Sequence, residues 1–141
     1  MTNSTDFNSQ IIYLENGDYL ETKIQSEQTK LPLSEISLFT RSTKQITKTK
    51  TSTYKSASGK SMWSVSITGT FTYNGSSAKC VSCSHSSKTY TTNWTIKSIS
   101  SSKKDNSATV NAVVVHTYNN TCKTNINKNV TITCSKNGTI S

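Results

Sequence analysis

One arginine, Arg41, and one proline, Pro32, occur in the chain, and a single acidic residue, Asp105, follows residue 40. Each scarcity excludes something. Bidentate recognition of phosphate and carboxylate favours arginine, so a basic surface built on lysine is poorly equipped for it. Acid–base catalysis needs paired carboxylates or a partnered histidine, and residues 45–141 offer Asp105 in a Ser/Lys-rich stretch, His85 in a loop after the C-x-x-C and His116 at a strand end. Five glycines form neither a P-loop nor a dinucleotide-binding pattern. No G-x-S-x-G surrounds any serine that Asp105 and His116 might serve. No apolar run approaches the roughly 18 residues of a membrane span. These absences argue against an enzyme, and no cofactor is implied.

Hydrophobic residues make up 31% of the chain, below the usual ~45–50%, so the core is expected to be thin and to benefit from cross-links. Serine and threonine fill about a third of the positions. Disorder would be the default for such a composition, but periodicity opposes it. From Lys60 to Tyr73 the odd positions carry Trp63, Val65, Ile67, Gly69, Phe71 and Tyr73, and serine or threonine fills most even ones. That is the period-two pattern of a strand with one buried face. Gly69 within it points to a bulge or a close backbone approach.

Further strands are read at Ser76–Cys83, at 89–99 with Tyr90, Thr92, Trp94 and Ile96 in phase, at 107–118, and at Thr124–Cys134. The run Ser98–Asn106 reads as a turn or hairpin tip. Asn16-Gly17 and Asn74-Gly75 signal type I′ turns, the first closing a hairpin over residues 11–24. Around Pro32 no period holds, so 25–45 is read as a linker with a short helical turn near Leu33–Phe39. Five or six strands without a long helix predict an all-β fold: an antiparallel β-sandwich, immunoglobulin-like, or a small barrel. Two regions follow, an acidic N-terminal hairpin and linker over 1–44 and a basic β domain over 45–141. Six of the seven acids lie before residue 41, so the hairpin is expected to dock on the basic body.

Cys80, Cys83, Cys122 and Cys134 admit three readings. A redox C-x-x-C pair needs a helix N-terminus, and here the flanks are β sequence. A zinc site would have to improvise Cys80, Cys83, His85 and Cys122. Two disulfides of an oxidising compartment are the ordinary reading, with Cys80–Cys134 and Cys83–Cys122 favoured. Each would close roughly 40–55 residues and stabilise by roughly 4 kcal/mol. The order Cys80…Trp94…Cys134 parallels the immunoglobulin arrangement of a tryptophan on an inter-sheet bridge.

Sixteen basic against seven acidic residues give a net charge of +9. The surface could serve an anionic polymer, glycan or protein partner, or a membrane surface, or it could simply keep strand edges soluble. Trp63 and Trp94 fall in phase with core residues. Tyr54, Tyr90 and Tyr118, interleaved with Lys55, Lys88 and Lys123, are therefore the candidate binding residues. Nucleic acid is disfavoured because no RNA- or DNA-binding motif occurs. Asn-x-Ser/Thr sequons, such as those at Asn74 and Asn93, arise by chance in this composition.

The stretch Ser58-Gly59-Lys60-Ser61-Met62-Trp63-Ser64-Val65 through Gly69-Thr70-Phe71-Thr72-Tyr73-Asn74-Gly75-Ser76 resembles a family of small secreted proteins of Gram-positive, clostridia-like bacteria. The closing Val130-Thr131-Ile132-Thr133-Cys134-Ser135-Lys136-Asn137-Gly138-Thr139-Ile140-Ser141 is similar to that family's end. The acidic Tyr13–Tyr19 stretch is similar to what precedes its β domain. The resemblance implies secretion after removal of a signal peptide, with the polar start Met1–Asp6 belonging to the mature form, and it implies no site residues. The expected function is a secreted, non-catalytic binding or cell-surface domain for an anionic partner, wall polymer or glycan. A membrane-active antimicrobial or toxin-like effector and a self-assembling surface subunit are the alternatives.

Overall fold

A computed structural model gives the fold and describes residues 9–26, 43–117 and 123–141. Its strands are β1 (Ser9–Tyr13), β2 (Tyr19–Ser26), β3 (Lys44–Lys55), β4 (Ser61–Tyr73), β5 (Ala78–Thr89), β6 (Trp94–Lys104), β7 (Ser107–Thr117) and β8 (Lys123–Thr133). They form one sheet in the order β1-β2-β3-β4-β5 and another in the order β6-β7-β8. All pairings are antiparallel. Both sheets are meanders in chain order, and they face each other as an open β-sandwich, not a closed barrel.

The odd residues of β4 meet the expectation of a buried face. Trp63, Val65, Ile67 and Phe71 are buried and pack with Val110, Val114, Val130 and Ile132 of the second sheet. Gly69 lies under the Phe71 ring, where a Cβ would come within 2.7 Å of it. The bulge sits next door, at the Thr70/Phe71 register shift. On the opposite face of the sheet, hydroxyls pair across β3 and β4: Thr47 with Thr70 at 2.9 Å, Thr49 with Thr68 at 2.7 Å, and Thr51 with Ser66 at 2.7 Å. Such cross-strand pairs let a Ser/Thr-rich face hold a sheet together without apolar side chains.

Strand β3 is absent from the sequence reading. Its register opposite β4, with Lys50 across from Ile67 and Ser52 across from Val65, puts Lys48, Lys50 and Ser52 on the inward face, so hydropathy does not alternate along it. Strand β6 continues through Ser98–Lys104, where the sequence suggests a turn, because its partner β7 supplies the apolar contacts. The β6–β7 turn narrows to Asp105, at φ 53°, and Asn106.

The turns also differ from expectation. Gly17 has φ 91° and Gly75 φ 88°, but neither Asn16 nor Asn74 has a positive φ. A type I′ turn needs two such residues, so these are not type I′. Instead Gly17 N–H donates to Leu14 O at 3.0 Å and Leu14 N–H to Asp18 O at 2.8 Å. The same pair of bonds closes Ser56–Lys60 around Gly59 and Ser135–Thr139 around Gly138. This pattern is a type I turn finished by a left-handed glycine.

The N-terminal hairpin joins the main sheet directly. Strand β2 pairs with β3 from Tyr19↔Lys55 to Ser26↔Lys48, and Lys55 Nζ reaches Glu21 at 2.8 Å. The helical turn expected at Leu33–Phe39 lies outside the described residues, as do Tyr118 and Cys122. Cys80, Cys83 and Cys134 stand as free thiols, so the Cys80–Cys134 bridge is not formed in the structure. Trp94 does not sit on that pair. It opens β6 opposite His116, whereas Cys134 follows the far end of β8.

Candidate functional site

The β1–β2 and β3–β4 turns and the β5–β6 connection gather at one end of the sandwich. There they border a cavity of about 490 Å³, lined by Asn16, Asp18, Tyr54, Lys60, Met62, Thr91, Thr92, Asn93, Trp94, His116 and Ile126. That volume falls within the range of small-molecule sites.

Its wall is aromatic. Tyr54 stacks on Trp63 with ring centroids 5.7 Å apart, and its ring lies 5.1 Å from that of Trp94. Trp94 in turn stacks flat against His116, 4.0 Å away with 3° between the planes. Strand geometry explains the assembly: Tyr54 pairs with Trp63 across β3 and β4, and Trp94 pairs with His116 across β6 and β7. The rings therefore meet where the two sheets close over each other.

The rim is polar, and Asp18 organises it. Tyr54 Oη donates to Asp18 Oδ2 at 2.7 Å, Ala57 N–H to Asp18 Oδ1 at 3.0 Å, and Asn16 Nδ2 to Oδ2 at 3.0 Å. With both oxygens engaged, the carboxylate ties the two turns together and is poorly placed to shuttle protons. Thr91 brings a buried hydroxyl without a hydrogen-bond partner. Lys60 is the cation among the lining residues, and Asn93 O accepts from Thr117 N–H at 2.9 Å.

The sequence candidates divide between places. Tyr54 is half-buried within the aromatic wall rather than exposed. Lys88 and Tyr90 sit together, the ammonium 5.0 Å from the ring centroid, and Tyr90 is 45% exposed. Lys55 lies at the same corner but is committed to Glu21, whose carboxylate pushes the ammonium pKa up. Lys123 opens β8 as an exposed residue opposite Thr117 of β7. His85, offered to an improvised zinc set, bonds through Nδ1 to Ser101 Oγ at 2.7 Å. Among the described residues no group of three or more His, Cys, Asp or Glu could hold a metal.

Sequence reasoning missed Asn16, Asp18, Lys60, Thr91, Asn93 and His116 as one group. Three turns far apart in the chain supply most of them, and period-two patterning carries no information about which turns share an end. No helix among the described residues is long and apolar enough to cross a membrane. Comparison of the chain with protein-family models, with curated proteins and with solved structures finds no match.

Proposed function

We propose that the chain is a secreted, non-catalytic binding domain that takes an anionic glycan, such as a saccharide unit of a wall polymer, in the cavity at the end of the sandwich. The aromatic-walled cavity with its short polar rim carries this reading. Sugars present apolar C–H faces to rings and hydroxyls to amides, and Tyr54, His116, Asn16, Asn93 and Thr91 supply that combination. Lys60 supplies a charge for an acidic substituent, with the Lys88–Tyr90 corner as an outer contact for a longer polymer. The hydrogen bonds to both oxygens of the Asp18 carboxylate give it a structural role at the rim and favour binding over catalysis.

Titration with anionic wall polysaccharide, followed by tryptophan fluorescence, tests this. Trp94 lines the cavity, so bound ligand should change its emission. Asn93→Ala should weaken binding about tenfold, the loss of roughly one hydrogen bond. Lys60→Gln should weaken binding of acidic but not neutral saccharides. Unchanged affinity in both variants would sink the proposal.

A second reading, self-assembly, is favoured by β1. This edge strand leaves Ile11, Ile12 and Tyr13 consecutively exposed at 48%, 56% and 70% and carries no charge to discourage pairing. Concentration-dependent association that Ile12→Lys abolishes would support it. A monomer at all concentrations would remove it.

A further inference from the structure

Strand β5 carries a C-x-x-C whose two cysteines, three apart, would face opposite sides of a regular strand. The bulge opposite Thr70/Phe71 changes that. Cys83 pairs with Gly69 and Cys80 with Phe71, both on the inward face of β4. Val81 takes up the extra position and is pushed out, 41% exposed despite being valine. Cys80 is thereby buried in the core, and Cys83, half-buried, packs against the same core.

Cys134 reaches this place from the other sheet. Cys80 N–H donates to Asp105 O at 2.7 Å, and Cys134 N–H donates to Asn106 O at 3.0 Å. Asn106 Nδ2 also donates to Cys134 O at 2.6 Å. Two cysteines 54 positions apart thus hang from consecutive carbonyls of a single turn, and both are enclosed in one core, 2% and 0% exposed. Burial pushes both thiols up, and Cys80 adds to the effect at Cys134 as Cys83 does at Cys80. The strand register and the shared turn thus set Cys80 between Cys83, one inward position along β5, and Cys134 across the sheets.

We propose that Cys80 and Cys134 form an inter-sheet disulfide under oxidising conditions, and that half-exposed Cys83 is the thiol through which a small-molecule disulfide delivers the oxidation. Buried Cys80 and Cys134 are closed to an external oxidant, and the thiolate is the attacking form. Cys83 gives its proton to water and attacks the disulfide RSSR, forming a mixed disulfide and releasing RS⁻. Cys80, losing its proton, attacks the Cys83 sulfur and expels the second RS⁻. Cys134, losing its proton, then attacks the Cys80 sulfur, and the Cys80–Cys83 bond breaks to return Cys83 as a thiol. The two protein thiols lose two electrons, and RSSR becomes two RSH.

The test uses the reduced full-length chain and oxidised glutathione, with non-reducing peptide mapping over time. A Cys80–Cys134 peptide should accumulate while Cys83 remains open to alkylation. The thermal midpoint should rise by about 10 °C, as closure of a loop of this length implies. Cys83→Ser should reach the same linkage at least tenfold more slowly, and Cys122→Ser should leave the rate unchanged. A product in which Cys134 stays alkylatable overturns the bridge. Equal rates for Cys83→Ser and the parent chain, or an equal slowing by Cys122→Ser, overturn the delivery role of Cys83.

Discussion

Gly138 and Gly75 have nearly the same backbone, with φ 90° and 88°, but different surroundings. A Cβ at Gly138 would run into the Tyr73 ring, whereas one at Gly75 would meet nothing within 4 Å. The left-handed conformation alone costs an ordinary residue about 1–2 kcal/mol, and overlap with a ring adds a similar amount. Gly138→Ala should therefore destabilise by about 3 kcal/mol and Gly75→Ala by about 1 kcal/mol. Urea unfolding of the two variants measures the gap, and equal midpoints would show that the C-terminal turn is not held against Tyr73. Asp18 makes a related case. Its carboxylate accepts from Tyr54 on β3 and from Ala57 in the β3–β4 turn, so Asp18→Ala removes the tie between two turns bordering the cavity. A loss of about 2 kcal/mol is expected, together with a shift of the emission of Trp94, whose ring lies beside Tyr54.

Among the strands, legibility followed hydropathy. β4, β7 and β8 were readable because most of their inward positions are apolar (Trp63, Val65, Ile67 and Phe71; Ala108, Val110, Ala112 and Val114; Ile126, Val130 and Ile132), set among serine, threonine and asparagine. β3 was not, since Lys48, Lys50 and Ser52 break the apolar alternation between its inward Ile46 and Tyr54, and the strand is held instead by its register with β2 and β4. The Cys80/Cys83 phase was equally hidden, because a bulge leaves no mark in an alternating pattern when its extra residue is an ordinary valine. The attachment of the hairpin has its own signature in pH. Glu21 of β2 is held below the usual carboxylate range, first by its hydrogen bond from Lys55 of β3 and then by the charges of Lys55 and Lys23, against the opposing effect of burial. A carboxylate with a lowered folded-state pKa contributes stability above its unfolded pKa and loses it as pH falls through the folded value. Thermal midpoints of the parent and Glu21→Gln should therefore differ at pH 7 and converge toward pH 2–3, with a gap of about 1 kcal/mol for a half-buried pair on the outer face of the sheet. A gap independent of pH would assign the Glu21 effect to packing.

At the scale of the whole molecule an electrostatic tension lies between the sheets. Lys50 of β3 and Lys128 of β8 both point inward: Lys50 pairs with Ile67 and Ile24, and Lys128 with Ala112. Lys50 Nζ donates to Thr131 O at 2.9 Å. Burial lowers the pKa of both ammonium groups, and at Lys128 the charge of Lys50 lowers it further. The described acids are committed or distant: Glu21 faces outward to Lys55 and Lys23, and Asp18 holds Tyr54 and Ala57. Asp105 sits in the β6–β7 turn and Glu15 in the β1–β2 turn. Two half-buried like charges thus share the seam on the β3–β8 side of the sandwich. Lys128→Met keeps the aliphatic stem and removes one charge, so it should stabilise the chain by about 1 kcal/mol near neutral pH. The pH dependence has a definite direction. A lysine whose folded-state pKa is lowered binds its proton more weakly when folded, so the parent's deficit is fully present below the lowered value. It shrinks as pH rises toward 10.5, where the unfolded chain also releases the proton. The stability advantage of Lys128→Met should accordingly narrow between pH 7.5 and pH 10.5, and salt should narrow it at pH 7.5. A variant less stable than the parent at pH 7.5 would mean that Lys128 seals the seam by packing rather than straining it by charge.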